Sequence, residues 1–597
     1  MMEDESAEAR DGQWPVRPML LGLLGLVAGI ISYFLIGRDW NSAPTTLELT
    51  ATTFVVVAAG LVGFTLERRA ILSALVFSVV WGAVAALVAY WNGSPSGWDA
   101  MAGWRVVSLA LAAGIAAPFY QTARDAGGMV FDYRETHDHA WTNVVLFCAS
   151  WLFVLVVFLL LVLLDQLFRL IGIHWIGDLL GKHWFGMSYL GAAFGLGLGL
   201  LQEHVAVVRM VQRVVARVLA VLAPVLGIGL VLFLAALPFT GLGALWDATR
   251  WPTGTLLTCV VGALILANGV IGNDADQEAA ARPLRWGALA LALTMLPLSV
   301  VAACATYLRI DQYGLTPERL WAATFVAIAC AYGLAYLVSF ATARAAWMAR
   351  VRTSNLWLAA GLCVLALFLA TPLAAFQSLS TRDQVARLQS GRISADKFDW
   401  AALAFDFGEP GRKALARLGE SDKAEVRSAA KEALAWKNRW EGVQEQAASE
   451  NTQQAMAKLR VLPQDAAVPE ALQALVGTSW PCSLGGGCTL LFSEGGSEAF
   501  LFSGSCYPAP VEQEAGADER RPLASAVVEG APPYGCEPIP FRKGEEGWVR
   551  ADQGPDRYTD AQKARLREGF ERGDIEIRTV ESRQLFVGGE PVGEPFE

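Results

Sequence analysis

Imidazole and carboxylate groups gather in two places of this chain. His137 and His139 flank Asp138, with Asp132 and Glu135 just ahead, and Glu203 stands beside His204. Such groups hold zinc or a similar ion when three or four of them converge. A metal site built from His137, His139, Glu203 and His204 requires these two distant segments to meet. If they do not, residues 132–139 are a solvated lead into an apolar run, with Trp141 as its interface anchor. All five histidines precede position 205. The C-terminal part therefore has no base for Ser-His-Asp or Cys-His catalysis. The chain shows no Walker loop and no dinucleotide fingerprint. Gly485-Gly-Gly487 lies between two cysteines and reads as a hairpin turn. No cofactor is expected.

The elements that would position these groups are apolar segments. Residues 144–164, 215–237, 288–306 and 356–376 are each about twenty residues long, and Arg217, near the start of the second, is the one charge inside them. That length crosses ~30 Å of hydrocarbon at ~1.5 Å per residue. Only a helix or a closed barrel spans lipid without orphaning backbone groups. The fold class expected is an α-helical polytopic membrane protein with a C-terminal soluble α+β domain. Eleven spans are placed at residues 19–36, 49–66, 70–91, 105–121, 142–165, 184–202, 215–238, 253–272, 285–307, 320–342 and 356–376. The fourth is short, rich in Ala and Gly, and carries Pro118. Residues 166–183 have the spacing of an amphipathic interfacial helix or of an ordinary helical loop.

Charged residues make up 17% of the chain, against ~25% for soluble domains. Residues 1–377 hold 21 Lys+Arg and 22 Asp+Glu; residues 378–597 hold 26 and 35. A nearly neutral membrane block thus carries an acidic tail, which argues against nucleic acid or anionic lipid as the tail's partner. Residues 1–18 form a polar segment without a cleavage pattern, so the first span is read as retained. The loops on the N-terminal side hold 14 basic residues and the opposite loops 7. That bias puts the N-terminus in the cytoplasm, and an odd number of spans puts the tail outside.

Five cysteines lie in spans as small apolar residues. Cys482, Cys488, Cys506 and Cys536 cluster in a Gly/Pro-rich part of the tail. An even cluster in an exported segment reads as two disulfides; a zinc site is the alternative, without a C-x-x-C pair. The membrane block is taken as 19–376. A helical juxtamembrane part follows at 377–476, and a small β-rich or α+β end at 477–597. Apolar runs at 490–492, 499–502 and 526–528 suggest strands. A last helix is expected near 560–571, followed by strand-like runs at 575–580 and 585–587.

Residues 309–321 read Arg-Ile-Asp-Gln-Tyr-Gly-Leu-Thr-Pro-Glu-Arg-Leu-Trp. Further segments are His137-Asp-His-Ala-Trp141 with Asn143, Leu237-Pro-Phe-Thr-Gly-Leu242, and Gln384-Val-Ala-Arg-Leu388 with Lys397-Phe-Asp399 and Phe405. The set resembles a bacterial family of polytopic membrane proteins, domain of unknown function 4153, over most of residues 20–435. The resemblance implies an integral membrane protein and supplies no catalytic residues. Arg309, Tyr313, Gly314, Thr316 and Arg319 are its signature loop. In physical terms Gly314 permits a turn, Thr316 is placed as an N-cap and Pro317 as the first helical residue. Arg319 and Trp321 are expected at the outer interface.

Span interiors are almost free of charge, which counts against ion coupling through buried carboxylates. Gly195, Gly197, Gly199, Pro224 and Pro297 could break helices, or could be ordinary members of them. The leading expectation is a bacterial inner-membrane envelope component, a scaffold, binding or sensory protein. Its periplasmic tail would meet an envelope protein partner, with the lipid bilayer as its other partner. A transporter or flippase is the alternative. A membrane-embedded metal-dependent enzyme is the third.

Overall fold

A computed structural model of the chain describes residues 14–37, 43–95, 101–241, 251–443, 455–464, 466–479, 488–493, 496–503, 539–544, 547–550, 583–587 and 590–596. Two compact units divide it, Met1–Ala435 and Trp436–Glu597.

The first unit is helical. Its elements begin with α1 (Arg17–Ser32, extended by a π-helical turn Tyr33–Gly37), α2 (Thr46–Thr65), α3 (Ile71–Asn92) and α4 (Ala102–Asp125). Then come α5 (Tyr133–Arg169), the short α6 (Trp175–Leu180), α7 (His183–Glu203), α8 (Val205–Thr240) and α9 (Pro252–Ile271). Next are α10 (Arg282–Tyr313), α11 (Pro317–Ala343) and α12 (Trp347–Ala370). Among the described residues, ten helical stretches are long and apolar enough to cross a membrane. The last of them, Pro317–Ala370, runs to 54 residues and holds both α11 and α12. These two pack against each other about the turn Arg344–Ala346.

Local chemistry sets the helix ends. Thr45 and Glu48 cap α2 reciprocally, the hydroxyl accepting from Glu48 N at 3.3 Å and the carboxylate from Thr45 N at 2.8 Å. Asp132 caps α5 by accepting from Arg134 N at 2.9 Å. The glycines of α7 and the prolines inside α8 and α10 do not interrupt these helices.

Those glycines serve contact instead. Helix α1 lies backbone to backbone on α7. Gly22, Gly25 and Gly29 of α1 run along Gly191, Gly195 and Gly199 of α7, and a β-carbon at any of them would strike the other helix. At the other end of the size range, α10 is the central helix. Leu291, Met295 and Leu298 are fully buried, in a core with Ile271 of α9, Tyr336 of α11 and Val351 of α12. Helix α5 does the opposite. Leu152, Leu155, Val156, Leu159, Leu160 and Leu163 are all exposed. A ring of outward apolar side chains is what hydrocarbon solvates and water does not. Leu170 and Ile171, before α6, are among the most exposed apolar residues.

Past α12 the chain forms α13 (Phe376–Gln389), α14 (Gly408–Leu418) and α15 (Ala424–Ala435). Phe398, Trp400, Leu403, Phe407 and Leu415 are buried here.

The second unit holds a five-stranded sheet. Its strands, in spatial order, are β1 (Leu459–Leu462), β2 (Cys488–Phe492), β3 (Glu498–Ser503), β4 (Ile539–Gly544) and β5 (Gly547–Arg550). Strand β1 is parallel to β2 and the other pairs are antiparallel. Helix α16 (Glu470–Thr478) supplies Leu472 and Val476 to a core with Cys488, Leu490, Leu501 and Phe541. A separate hairpin pairs β6 (Arg583–Val587) with β7 (Glu590–Phe596). The strands expected at 490–492, 499–502 and 585–587 form. Strand β1 lies inside a stretch that sequence spacing had marked as helical. The runs at 526–528, 560–571 and 575–580, and Cys482, Cys506, Cys536 and Gly485–Gly487, lie outside the described residues.

Candidate functional site

The first turns of α5 send polar side chains in several directions. His137 Nε2 accepts from Trp141 Nε1 at 3.1 Å. Asp138 accepts from Asn273 Nδ2 at 2.6 Å. His139 Nε2 lies 3.0 Å from Asp125 Oδ2. Thr142 accepts from Gln212 of α8, and Asn143 donates to Gln121 of α4, both at 2.8 Å. The histidine segment is thus a hub that ties α5 to α4, α8 and the end of α9.

The second segment faces other partners. Glu203 accepts from Trp14 N at 2.8 Å and lies 3.6 Å from Arg17 of α1. His204 Nδ1 donates to Leu200 O at 2.8 Å. Among the described residues, no group of three or more His, Cys, Asp or Glu is placed to hold a metal ion. His137, His139, Glu203 and His204 are not among such a group: the first two make their contacts with Trp141 and Asp125, the last two with Trp14, Arg17 and Leu200.

Sequence reasoning passed over a neighbouring set. Asn268 of α9 donates to the Tyr336 hydroxyl of α11 at 2.8 Å. Asn355 of α12 donates to the same hydroxyl at 3.1 Å and to Asn268 Oδ1 at 2.8 Å. Tyr336 is fully buried. Nearby, Arg352 of α12 donates to Ile271 O at 3.0 Å and Asp274 O at 3.2 Å, so it caps the end of α9. Its other nitrogen pairs with Glu278 at 3.0 Å. Gly272 makes the turn at φ +64°, and a β-carbon there would meet Gln277. Arg134 holds the same loop through Asp274 at 3.2 Å. Asn273 Oδ1, Asn355 Oδ1 and His137 Nδ1 are buried without a hydrogen-bond partner among the described residues. The available signal was the pair of neutral amides in otherwise apolar spans.

The signature loop is built as its residue types demand. Gly314 ends α10 at φ +78°. The Thr316 hydroxyl accepts from Arg319 N at 3.3 Å, and Pro317 opens α11. Arg319 donates to Gly314 O at 2.7 Å and stacks over the Tyr313 ring. Arg309 has a partner too. Three residues of α13 then read the loop's backbone. Asp383 accepts from Leu315 N at 2.7 Å. Gln384 donates to Tyr313 O at 2.9 Å and Leu315 O at 3.0 Å. Arg387 donates to Asp311 O. A β-carbon on Gly314 would meet Gln384 and Asp383. Trp321 corrects another expectation. Its ring does not face outward but is 5% exposed, packed on Phe376, Leu369 and Phe325. The loop and the second half of α13 therefore make one joint.

No curated protein and no solved structure matches the chain. The family model "Domain of unknown function (DUF4153)" matches residues 51–418. That match runs from α2 to the end of α14, includes both halves of the joint, and shows that the chain belongs to the family of the domain of unknown function DUF4153.

Proposed function

We propose that this chain is an envelope scaffold, binding or sensory component of a bacterial inner membrane, acting through an exported tail. The observation that carries the reading is the joint. Asp383, Gln384 and Arg387 grip the backbone of residues 311–315. A loop with its backbone occupied in this way suits coupling of span to tail better than capture of a small ligand.

Eleven crossings fit the contacts at the helix ends. At one end, Arg17 reaches Leu66 O, Arg124 reaches Thr65 O, and Arg352 reaches Ile271 O. At the other, Asn92 contacts Arg105 and Ala370 O. Helix α4 thereby runs from Arg105 at one end to Arg124 at the other. Helix α12 runs from Arg352 to Ala370, which supports reading Pro317–Ala370 as two passes. The first end carries the arginine-rich loops, which supports an N-terminus in the cytoplasm and a periplasmic tail. Cys488 is buried in the sheet core and is not a free thiol. That supports a disulfide at Cys488 in an oxidising compartment. The three glycines between Cys482 and Cys488 make Cys482 the partner we propose, which leaves Cys506 for Cys536.

A transporter or flippase is the second reading, drawn from the polar Asn268–Tyr336–Asn355 set between spans. Deleting residues 436–597 separates the two. If the tail acts, the truncated protein accumulates normally yet reproduces the phenotype of a full deletion. Retained function sinks the tail reading and favours transport.

A further inference from the structure

We propose that a groove between the start of α10 and the α11–α12 turn binds the phosphate of an anionic phospholipid. The proposal rests on the membrane reading above. The groove measures about 600 Å³ and is lined by Arg285, Phe340, Ala341, Arg344, Ala345 and Trp347. Two guanidinium groups from separate elements thus face four apolar residues. That is the outline of an amphiphile, with charge at one side and hydrocarbon at the other.

The charge here is in surplus. Arg285 pairs with Glu278 at 3.5 Å, but Glu278 lies closer to Arg352, at 3.0 Å. The Arg344 side chain makes no ion pair or hydrogen bond among the described residues. Neither α10 nor α12 carries an acidic residue in its first turn. Arg344 also stands at φ +44°, a region where a residue with a β-carbon is uncommon. Glycine would fit that backbone with less strain. An unpaired arginine held there supplies a fixed positive charge beside Trp347, a buried aromatic.

The test uses the full chain in a mild uncharged detergent. Phosphatidylglycerol, phosphatidylcholine and inorganic phosphate are titrated separately, with bound lipid counted by native mass spectrometry and stability followed by thermal unfolding. Phosphatidylglycerol is expected to bind and to raise the unfolding temperature. Arg344→Gly should keep the fold, because it relieves the backbone, and together with Arg285→Gln should weaken phosphatidylglycerol binding about tenfold. Equal binding by the double variant overturns the proposal. So does equal affinity for phosphatidylcholine, and so does inorganic phosphate saturating the site at the same concentration, which would make free phosphate the ligand. If the double variant does not fold, Arg344→Gly alone decides, by whether its lipid affinity falls. Topology reporters and tail deletion are read separately, so failure of this site leaves the tail reading intact and the reverse.

Discussion

A β-carbon on Gly25 would sit 1.9 Å from the carbonyl oxygen of Gly191, and one on Gly191 would sit 2.0 Å from the carbonyl oxygen of Gly25. The two helices meet there with nothing between their backbones. Gly25→Leu or Gly191→Leu should therefore destabilise the protein by at least about 3 kcal/mol, since backbone cannot yield as a side chain does. Gly60, with open space at its β-carbon, is the control. Gly60→Ala should be neutral or stabilising by up to about 1 kcal/mol. Thermal unfolding in detergent measures all three. Equal effects at Gly25 and Gly60 would refute the contact.

The joint makes a second prediction. Gly314→Ala brings both a strained φ and a clash, whereas Asp383→Ala removes one acceptor. Asp383→Ala should cost about 1–3 kcal/mol by leaving Leu315 N unpaired. Gly314→Ala should cost more. Each should raise protease sensitivity between residues 311 and 389, read by mass mapping of limited digests. Unchanged cleavage in both would show that α13 does not depend on the loop.

Arg352 and Tyr336 differ in what their loss strands. Arg352→Ala leaves the end of α9 without its cap and the Glu278 carboxylate with only Arg285, at 3.5 Å, a loss of about 3 kcal/mol. Tyr336→Phe removes one acceptor from two amides, a loss nearer 1 kcal/mol. The Glu278→Gln, Arg352→Ala double variant should recover part of the loss. Strict additivity would mean that the pair contributes nothing.

Orientation and cysteine chemistry share one outcome. A phosphatase fused after Glu597 should be active, and a cytoplasmic fluorophore at that position dark. Non-reduced peptide mapping should then find Cys482 linked to Cys488 and Cys506 to Cys536. Free thiols throughout, with an inactive phosphatase, would place the tail inside.

The parts that were legible in the sequence are local. Gly314, Thr316 and Pro317 name a turn, a cap and a first helical residue within four positions, and they fold as such. The apolar runs name their helices for the same reason. What was not legible depends on partners far along the chain. Trp321 carries the signs of an interface anchor until Phe376 covers it. Strand β1 lies in a stretch expected to be helical, and its parallel pairing with β2 bridges residues that no local pattern links. The histidines at 137 and 139 carry the right chemistry for a metal. Which way each ring turns is set by Trp141 and Asp125, and that is a property of packing. The Asn268–Tyr336–Asn355 contact hid because a scan for charge passes over amides.

The seam between α1 and α7 also has a timetable. Gly25 and Gly191 are about 170 residues apart in the chain. At roughly 5–20 residues per second, the ribosome needs on the order of ten to thirty seconds to make the second after the first. For that interval the glycine ridge of α1 has no α7 to pack against. Four further helices of membrane-spanning length, α2 to α5, are made before its partner. The earliest helix made thus gains this partner only after four others have been made, and the order of packing departs from the order of synthesis.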